Sequence, residues 1–256
     1  EIVRGYLDAM LAYPASTRAA AAFLTPEAAD DWQPQSGVTG YRDAQVATVA
    51  TGGSRREAAA DVAVGLDILE TGRLDAEGRY SEGRGVRGTG FTVVRSDGQW
   101  RISDPPPGLM VTAKFFADYF RPFTLYYFDR PAERLVPQPV HLLVDDRLAA
   151  ALVTALARGG RDESGQLRTF VPGVDDLRAT VPVTGGLADV GFTGGSREEA
   201  DTRRMSAQIV WTLRQVPGIG TVRISVGAGP IEPYGSAQQP ISAWQEFGAP
   251  DGDGAV

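Results

Sequence analysis

The strongest constraint on the fold of this chain is a helix, a sharp break and a strand that follow one another over residues 203–232. Three apolar residues recur at the spacing of one helical face, namely Met205, Ile209 and Leu213. Pro217 and Gly218 end that helix, because proline lacks a backbone donor and glycine accepts dihedrals that other residues avoid. Three apolar residues then alternate with polar ones, as in a strand with one buried face: Val222, Ile224 and Val226. The pattern predicts a helix that packs on a sheet and is covered on more than one side.

The first unit is predicted over residues 1–110, with three short helices followed by an antiparallel sheet. Thr25 and Pro26 form a helix start, with threonine as the cap and proline at the first helical position. Asp97-Gly98 between two alternating runs predicts a tight hairpin. The Gly- and Arg-rich residues 71–88 are predicted to be a mobile hairpin loop. Helices on one face of such a sheet resemble the cone-shaped nuclear-transport-factor-like or cystatin-like folds.

A proline-rich segment, residues 104–108, marks the end of the first unit. Residues 111–122 are predicted to be a helical joint, whose aromatic side chains pack as a wedge between two domains. Residues 123–233 form the second unit, with helices laid on one sheet. Strands are expected over residues 166–170, 176–184 and 187–192. Residues 234–256 are predicted to be an extended tail or a linker toward a further domain.

Composition excludes several classes of function. The 256 residues carry a formal net charge of -7 and the sequence pI is about 4.9, so nucleic acid is not an expected partner. The chain contains no cysteine, which excludes thiol catalysis and any cysteine-ligated metal. No run of eighteen or more apolar residues is present.

The residue types that could carry chemistry have structural explanations. His141 is the only histidine, and no nucleophile motif accompanies it. Asp145-Asp146 lacks the alternating oxygens of a calcium loop and is expected to cap a helix, and Asp175-Asp176 follows the chemistry of a turn. The glycine-rich stretches lack the helix N-terminus or the cation that a phosphate cradle needs. We therefore predict no catalytic residue, no cofactor and no metal.

Two groups of residues are candidates for binding a partner. The first group is the set of arginines in the predicted loop, which could contact an acidic partner or lipid headgroups: Arg73, Arg79, Arg84 and Arg87. The second group is Trp244 and Phe247, aromatic residues in a segment with no core of its own. Alternatively, these two rings dock back onto one of the domains. The aromatic run over residues 115–128 is interpreted as core between the domains.

Several segments resemble a known family. The second half is similar to a GerMN domain, the module of spore-germination GerM proteins and of the actinobacterial lipoproteins LpqB, in the runs LYYFDRPAERLVPQP, TFVPGVDDLRATVPVTGGLADVGFT and AQIVWTLRQVPGIGTVRISVGAGPIE. The first half resembles LpqB in the runs GYLDAMLAYPASTRAAAAFLTPEAADDW, WRISDPPPGL and FFADYFRPFTLYYFD. The similarity covers nearly all of residues 1–250. Residues 1–110 then correspond to the LpqB N-terminal domain and residues 123–233 to the GerMN domain.

The resemblance implies a role outside the cytoplasm. LpqB proteins are anchored by a lipid on an N-terminal cysteine at the outer face of the cytoplasmic membrane, and they carry a β-propeller after the GerMN domain. They are linked to the MtrA–MtrB two-component system, to cell-wall homeostasis and to division. We therefore expect a fragment of an ectodomain, without the lipid anchor or the propeller, that binds the extracellular domain of an MtrB-like sensor histidine kinase and is not an enzyme.

Two alternatives remain open at this point. The cone-like first unit could bind a small ligand or act as an enzyme, which would require a deep pocket with converging carboxylates. The GerMN unit could instead be a scaffold for peptidoglycan or division proteins.

Overall fold

The chain folds into two compact units. The computed structural model describes residues 1–14, 16–49, 61–159, 165–178 and 180–248. The two units are Glu1–Phe120 and Arg121–Val256. The mixed α and β content of both units confirms the predicted fold class.

The first unit combines four helices with a five-stranded sheet in its described part. The helices are α1 (Ile2–Met10), α2 (Arg18–Ala21), α3 (Pro26–Asp31) and α4 (Ala113–Tyr119). The strands are β1 (Val38–Val49), β2 (Asp61–Leu74), β3 (Tyr80–Ser96), β4 (Gln99–Asp104) and β5 (Leu109–Thr112). Their order across the sheet is β4-β3-β2-β1-β5.

The helix α3 begins where capping chemistry predicts it. Thr25 Oγ1 accepts a hydrogen bond from the Ala28 amide at 3.2 Å, which confirms the predicted cap of α3. The helix α1 buries Val3, Tyr6 and other apolar residues of one face. Asp97 and Gly98 both have positive φ angles, as a tight turn between β3 and β4 requires.

One strand of the first sheet was not predicted. The strand β5 pairs in parallel with β1, whereas the other neighbouring strands of the sheet are antiparallel. Residues 109–112, placed partly in the expected joint, therefore belong to the sheet of the first unit. Thr112 caps α4 by accepting from the Phe115 amide at 3.2 Å, so the predicted helix near Thr112 is confirmed.

The prediction of a mobile loop over residues 71–88 was wrong. The strand β2 continues to Leu74 and β3 begins at Tyr80, so a short turn alone separates them. Glycine in this segment marks a close approach of two backbones and not flexibility, because a Cβ atom on Gly83 would lie 2.1 Å from the carbonyl oxygen of Glu70. The pairing between the strands shifts register beside that point, between Glu70 and Gly72.

The second unit contains two sheets and two helices in its described part. The first sheet has the order β7-β6-β8, with β6 (Phe120–Asp129), β7 (Leu135–Leu143) and β8 (Leu167–Arg168). The second sheet consists of β9 (Val183–Thr184), β10 (Leu187–Phe192), β11 (Thr221–Val226), β12 (Gly229–Pro230) and β13 (Gln238–Pro240). The helices are α5 (Leu148–Arg158) and α6 (Glu199–Leu213).

The helix α6 and the strand β11 form the predicted helix, break and strand. The helix crosses between the parallel strands β10 and β11, and its residues from Met205 to Leu213 are all buried. Alternate residues of β11 are buried as well, as the sequence predicts.

Our expectation of one sheet in the second unit was wrong, because α6 takes the place of a strand beside β6. Gln208 accepts from the Phe170 amide at 2.7 Å and donates to the Tyr126 carbonyl at 3.0 Å. Gln215 accepts from the Thr124 amide at 2.9 Å and donates to the Thr124 carbonyl at 2.7 Å. These amide side chains satisfy backbone groups that would otherwise need a neighbouring strand. Of the described residues in the strand expected over residues 176–184, Val183 and Thr184 alone form a strand, β9.

The segment after residue 233 is part of the second unit up to Gly248, and not an extended tail. The strand β13 pairs with β11, and Trp244 is 2 % exposed in the core of the unit. The Trp211 indole donates to the Trp244 carbonyl at 2.9 Å, and the Trp244 indole donates to Gln239 at 3.0 Å. Within the described ranges no helix is long and apolar enough to span a membrane.

Candidate functional site

The four candidate arginines lie on or beside one hairpin of the first unit. Arg73 lies in β2, Arg79 in the following turn, and Arg84 and Arg87 in β3. The strands therefore hold these side chains at defined positions, in place of the flexible loop that we expected.

Glu70 links two of the four arginines. Its carboxylate accepts from Arg73 at 3.1 Å and from Arg87 at 3.5 Å. The Glu70 side chain is only 8 % exposed, whereas the two arginine side chains are 40 % and 47 % exposed. A half-exposed guanidinium on each side of a buried carboxylate leaves one positive charge uncompensated at this point. No local pattern signals this pair, because residues three apart lie on opposite faces of a regular strand, and here a register shift between Glu70 and Gly72 interrupts that alternation.

The other two arginines have different surroundings. Arg79 lies 3.8 Å from Asp75 and 4.0 Å from Glu77, long contacts between exposed side chains that contribute little to stability. Arg84 is exposed and makes no ion pair with the described residues. Residues 70–87 contain four arginines and four acidic residues, so their formal charges cancel and the hairpin is not a basic patch.

The hairpin also presents an open strand edge. The strand β3 pairs with β2 over most of its length but with β4 only from Thr92 onward. In the described part of the chain, residues 80–91 of β3 therefore pair with a neighbouring strand on one side only. Val86, near the middle of this edge, is 74 % exposed. An open edge of this kind presents unpaired backbone donors and acceptors to a partner.

Beside the same arginines lies a cavity of about 290 Å³. Its apolar wall is formed by Val38, Ile68, Leu74, Pro106, Pro107 and Met110. Arg73, Arg87 and Asp75 supply its charged groups. One carboxylate in the wall is not the converging set of acids that hydrolytic chemistry would need. Within the described part of the chain, no group of three or more His, Asp and Glu could hold a metal ion.

Of the two aromatic candidates, Trp244 is buried and is therefore not accessible to a partner. Phe247 packs on the same core, with its ring centroid 5.3 Å from that of Phe128. The structure therefore favours the alternative that both rings dock back onto a domain. In the aromatic run before them, Tyr127 and Phe128 are buried in the core of the second unit itself.

His141 and the acidic pairs have local structural roles. Burial lowers the pKa of His141, which lies in β7, and so disfavours the charged form of the ring. Asp145 does not cap α5 as expected, because the helix begins at Leu148 and the Asp145 carboxylate accepts from the Arg147 amide at 2.9 Å. Asp176 lies in a short 3-10 turn and accepts from Thr193.

Comparison with known families and proteins gives two matches that together span most of the chain. The model for "Lipoprotein LpqB, N-terminal domain" matches residues 1–117, and the model for "Sporulation and spore germination" matches residues 124–232. A lipoprotein LpqB of Thermobifida fusca is 32% identical over 244 residues, which is 90% of this chain and 38% of that protein. A lipoprotein LpqB of Cutibacterium acnes is 27% identical over 251 residues, 94% of this chain and 40% of that protein. The chain thus spans about two fifths of the length of these relatives.

Solved structures give weaker matches. The tandem GerMN domains of the sporulation protein GerM from Bacillus subtilis match with a TM-score of 0.37 at 21% identity, over 48% of this chain and 45% of that chain. The first GerMN domain of the same protein matches with a TM-score of 0.36 at 23% identity, over 48% of this chain and 94% of that chain.

Proposed function

The chain belongs to the LpqB lipoprotein family, with the LpqB N-terminal domain followed by the GerMN domain, and from that premise we propose that it binds and modulates the extracellular domain of an MtrB-like sensor histidine kinase. In this proposal the protein is a non-enzymatic ectodomain, held at the outer face of the cell membrane by a lipid anchor. Its effect on cell-wall homeostasis and division follows from a change in kinase signalling.

The observation that carries this proposal is the open edge of β3 over residues 80–91. An extended segment of a partner can add to such an edge, and the backbone hydrogen bonds then supply affinity. Four glycines keep the edge free of bulky side chains: Gly83, Gly85, Gly88 and Gly90. Arg84 and Val86 are exposed on this stretch and supply a charge and an apolar contact that select the partner.

Binding of the purified chain to the extracellular domain of the kinase, measured by surface plasmon resonance, tests the proposal. Val86→Lys places a strongly hydrated charge at the centre of the edge and should weaken binding by about tenfold or more. Arg84→Glu should weaken binding in the same way. Both positions are exposed, so the fold of the first unit is retained.

Val183→Lys is the matched control, because Val183 is also an exposed valine on a strand, in the second unit. It should leave binding unchanged. Absence of binding by both this chain and the full-length lipoprotein contradicts the proposed function. Equal effects of Val86→Lys and Val183→Lys contradict the assignment of the edge.

A further inference from the structure

The cavity beside Glu70 contains arginine donors that the protein does not use. Glu70 accepts from one terminal nitrogen of Arg73 and from one terminal nitrogen of Arg87. The other terminal nitrogen of each arginine makes no hydrogen bond with the described residues, and these nitrogens are the donors that an acceptor in the cavity would use.

The charges around the cavity favour an anion with a single negative charge. Arg73 and Arg87 together exceed the charge of Glu70 by one. Asp75, the acid in the cavity wall, accepts through Oδ1 from the amides of Glu77 and Arg79 in its own turn and lies near the Arg79 guanidinium. A dianion would leave excess negative charge next to Glu70 and is therefore disfavoured.

The remaining wall suits a short apolar chain. Val38, Ile68 and Met110 line the cavity together with the charged groups, and Thr39 and Thr89 also belong to its wall. A volume of about 290 Å³ holds about ten non-hydrogen atoms, if each takes roughly the 30 Å³ that a water molecule occupies in the liquid. A planar carboxylate also matches the fork of donors that a guanidinium presents.

We propose that this cavity is a binding site for a small amphipathic monocarboxylate, whose carboxylate is held by Arg73 and Arg87 and whose apolar chain packs against Val38, Ile68 and Met110. The site shares Arg87 and Thr89 with β3, but the binding of a monocarboxylate does not depend on the proposed binding of a kinase.

Titration of the chain with octanoate, followed by isothermal calorimetry, tests this site. Octanoate has ten non-hydrogen atoms and one negative charge, and octanamide has the same size without the charge. Octanoate should bind at least tenfold more tightly than octanamide. Arg87→Gln and Arg73→Gln should each weaken octanoate binding by tenfold or more, because each removes one cation from the cavity.

Two further variants make the result decisive. Arg84→Gln is the matched control, since the exposed Arg84 lies outside the cavity wall and makes no ion pair with the described residues, and it should bind octanoate like the unaltered chain. Thr89→Leu narrows the cavity without changing either arginine and should weaken binding even if the arginine variants prove unstable by near-ultraviolet circular dichroism. Absence of octanoate binding, equal binding of octanamide, or an unchanged affinity in Thr89→Leu overturns the proposal. Val86→Lys should bind octanoate normally, which separates this site from the partner edge.

Discussion

Trp244 is the residue that ties the last described segment to the second unit. Its φ angle of 68° lies in the left-handed region, which a bulky residue occupies only when its surroundings hold it there. Those surroundings are the two indole hydrogen bonds with Trp211 and Gln239 and a stacked Tyr234 ring at 4.6 Å. Arg203 donates to the Tyr234 hydroxyl at 2.6 Å and lies over its ring, so the outer side of the stack is also fixed.

Trp244→Ala should therefore destabilise the second unit by about 3–5 kcal/mol, the range for removing a large buried aromatic ring. Urea unfolding, followed by circular dichroism, measures the change in the free energy of unfolding. Trp100→Ala is the control, because Trp100 is 38 % exposed on β4 and its loss should cost about 1 kcal/mol. Equal effects of the two substitutions would show that Trp244 is not part of the core.

His141 gives the chain a defined dependence of stability on pH. Because burial lowers its pKa in the folded state, the unfolded chain takes up the proton first as the pH falls through about 6.5. The free energy of unfolding should thus decrease between about pH 7.5 and 5.5, and His141→Gln should reduce that decrease. His141 is the only histidine of the chain, so no other imidazole contributes in this pH range. A decrease of the same size in His141→Gln, measured by urea unfolding at both pH values, contradicts this explanation.

At the scale of single elements, hydrophobic alternation and helix capping predicted more of the secondary structure than composition did. The hairpin at Asp97-Gly98, the cap at Thr25 and the buried face of β11 follow from local patterns, and all three are present. The strand pairing around Gly83 does not follow from local patterns. Glycine is required there by the close approach of β2, whose residues are not sequence neighbours of Gly83. The same reason explains why Glu70, which organises two of the arginines, was not identified.

Substitution of two glycines of β3 tests whether glycine in this strand reflects close packing or flexibility. Gly83→Ala would place a methyl group 2.1 Å from the Glu70 carbonyl oxygen, whereas Gly90→Ala meets nothing within 4 Å. Gly83→Ala should destabilise the first unit by about 1–3 kcal/mol through overpacking, and Gly90→Ala should be close to neutral. Thermal unfolding of the two variants checks this difference. If both behave alike, the close approach of β2 and β3 at Gly83 is not present.

The pairing of β6 with α6 is a second contact that periodicity could not reveal. Gln208 and Gln215 read as ordinary polar positions of a helix, but their amides bind backbone groups of residues 124, 126 and 170. A helix that is buried on all sides can include such residues only when partners are available in the folded structure. The sequence therefore predicted the burial of α6 but not the division of the second unit into two sheets.

At the scale of the whole molecule, two domains of different architecture share one chain. The resemblance to LpqB was confirmed by the match of residues 1–117 to the LpqB N-terminal domain and by LpqB relatives that align with 90% and 94% of the chain. The candidate site was predicted only in part, since the arginines lie together on one hairpin while Trp244 is buried in the other unit. Burial of an isolated aromatic residue depends on the tertiary fold and leaves no periodic signal in the sequence.

Amide hydrogen exchange of the chain, with and without the extracellular domain of the kinase, shows whether a partner domain adds to the open edge of β3. Backbone amides that become hydrogen-bonded to an added strand exchange more slowly. We predict slower exchange within residues 80–91 on addition of the kinase domain, and no such change in the Val86→Lys variant. Unchanged exchange over residues 80–91, or slower exchange confined to the second unit, would contradict it.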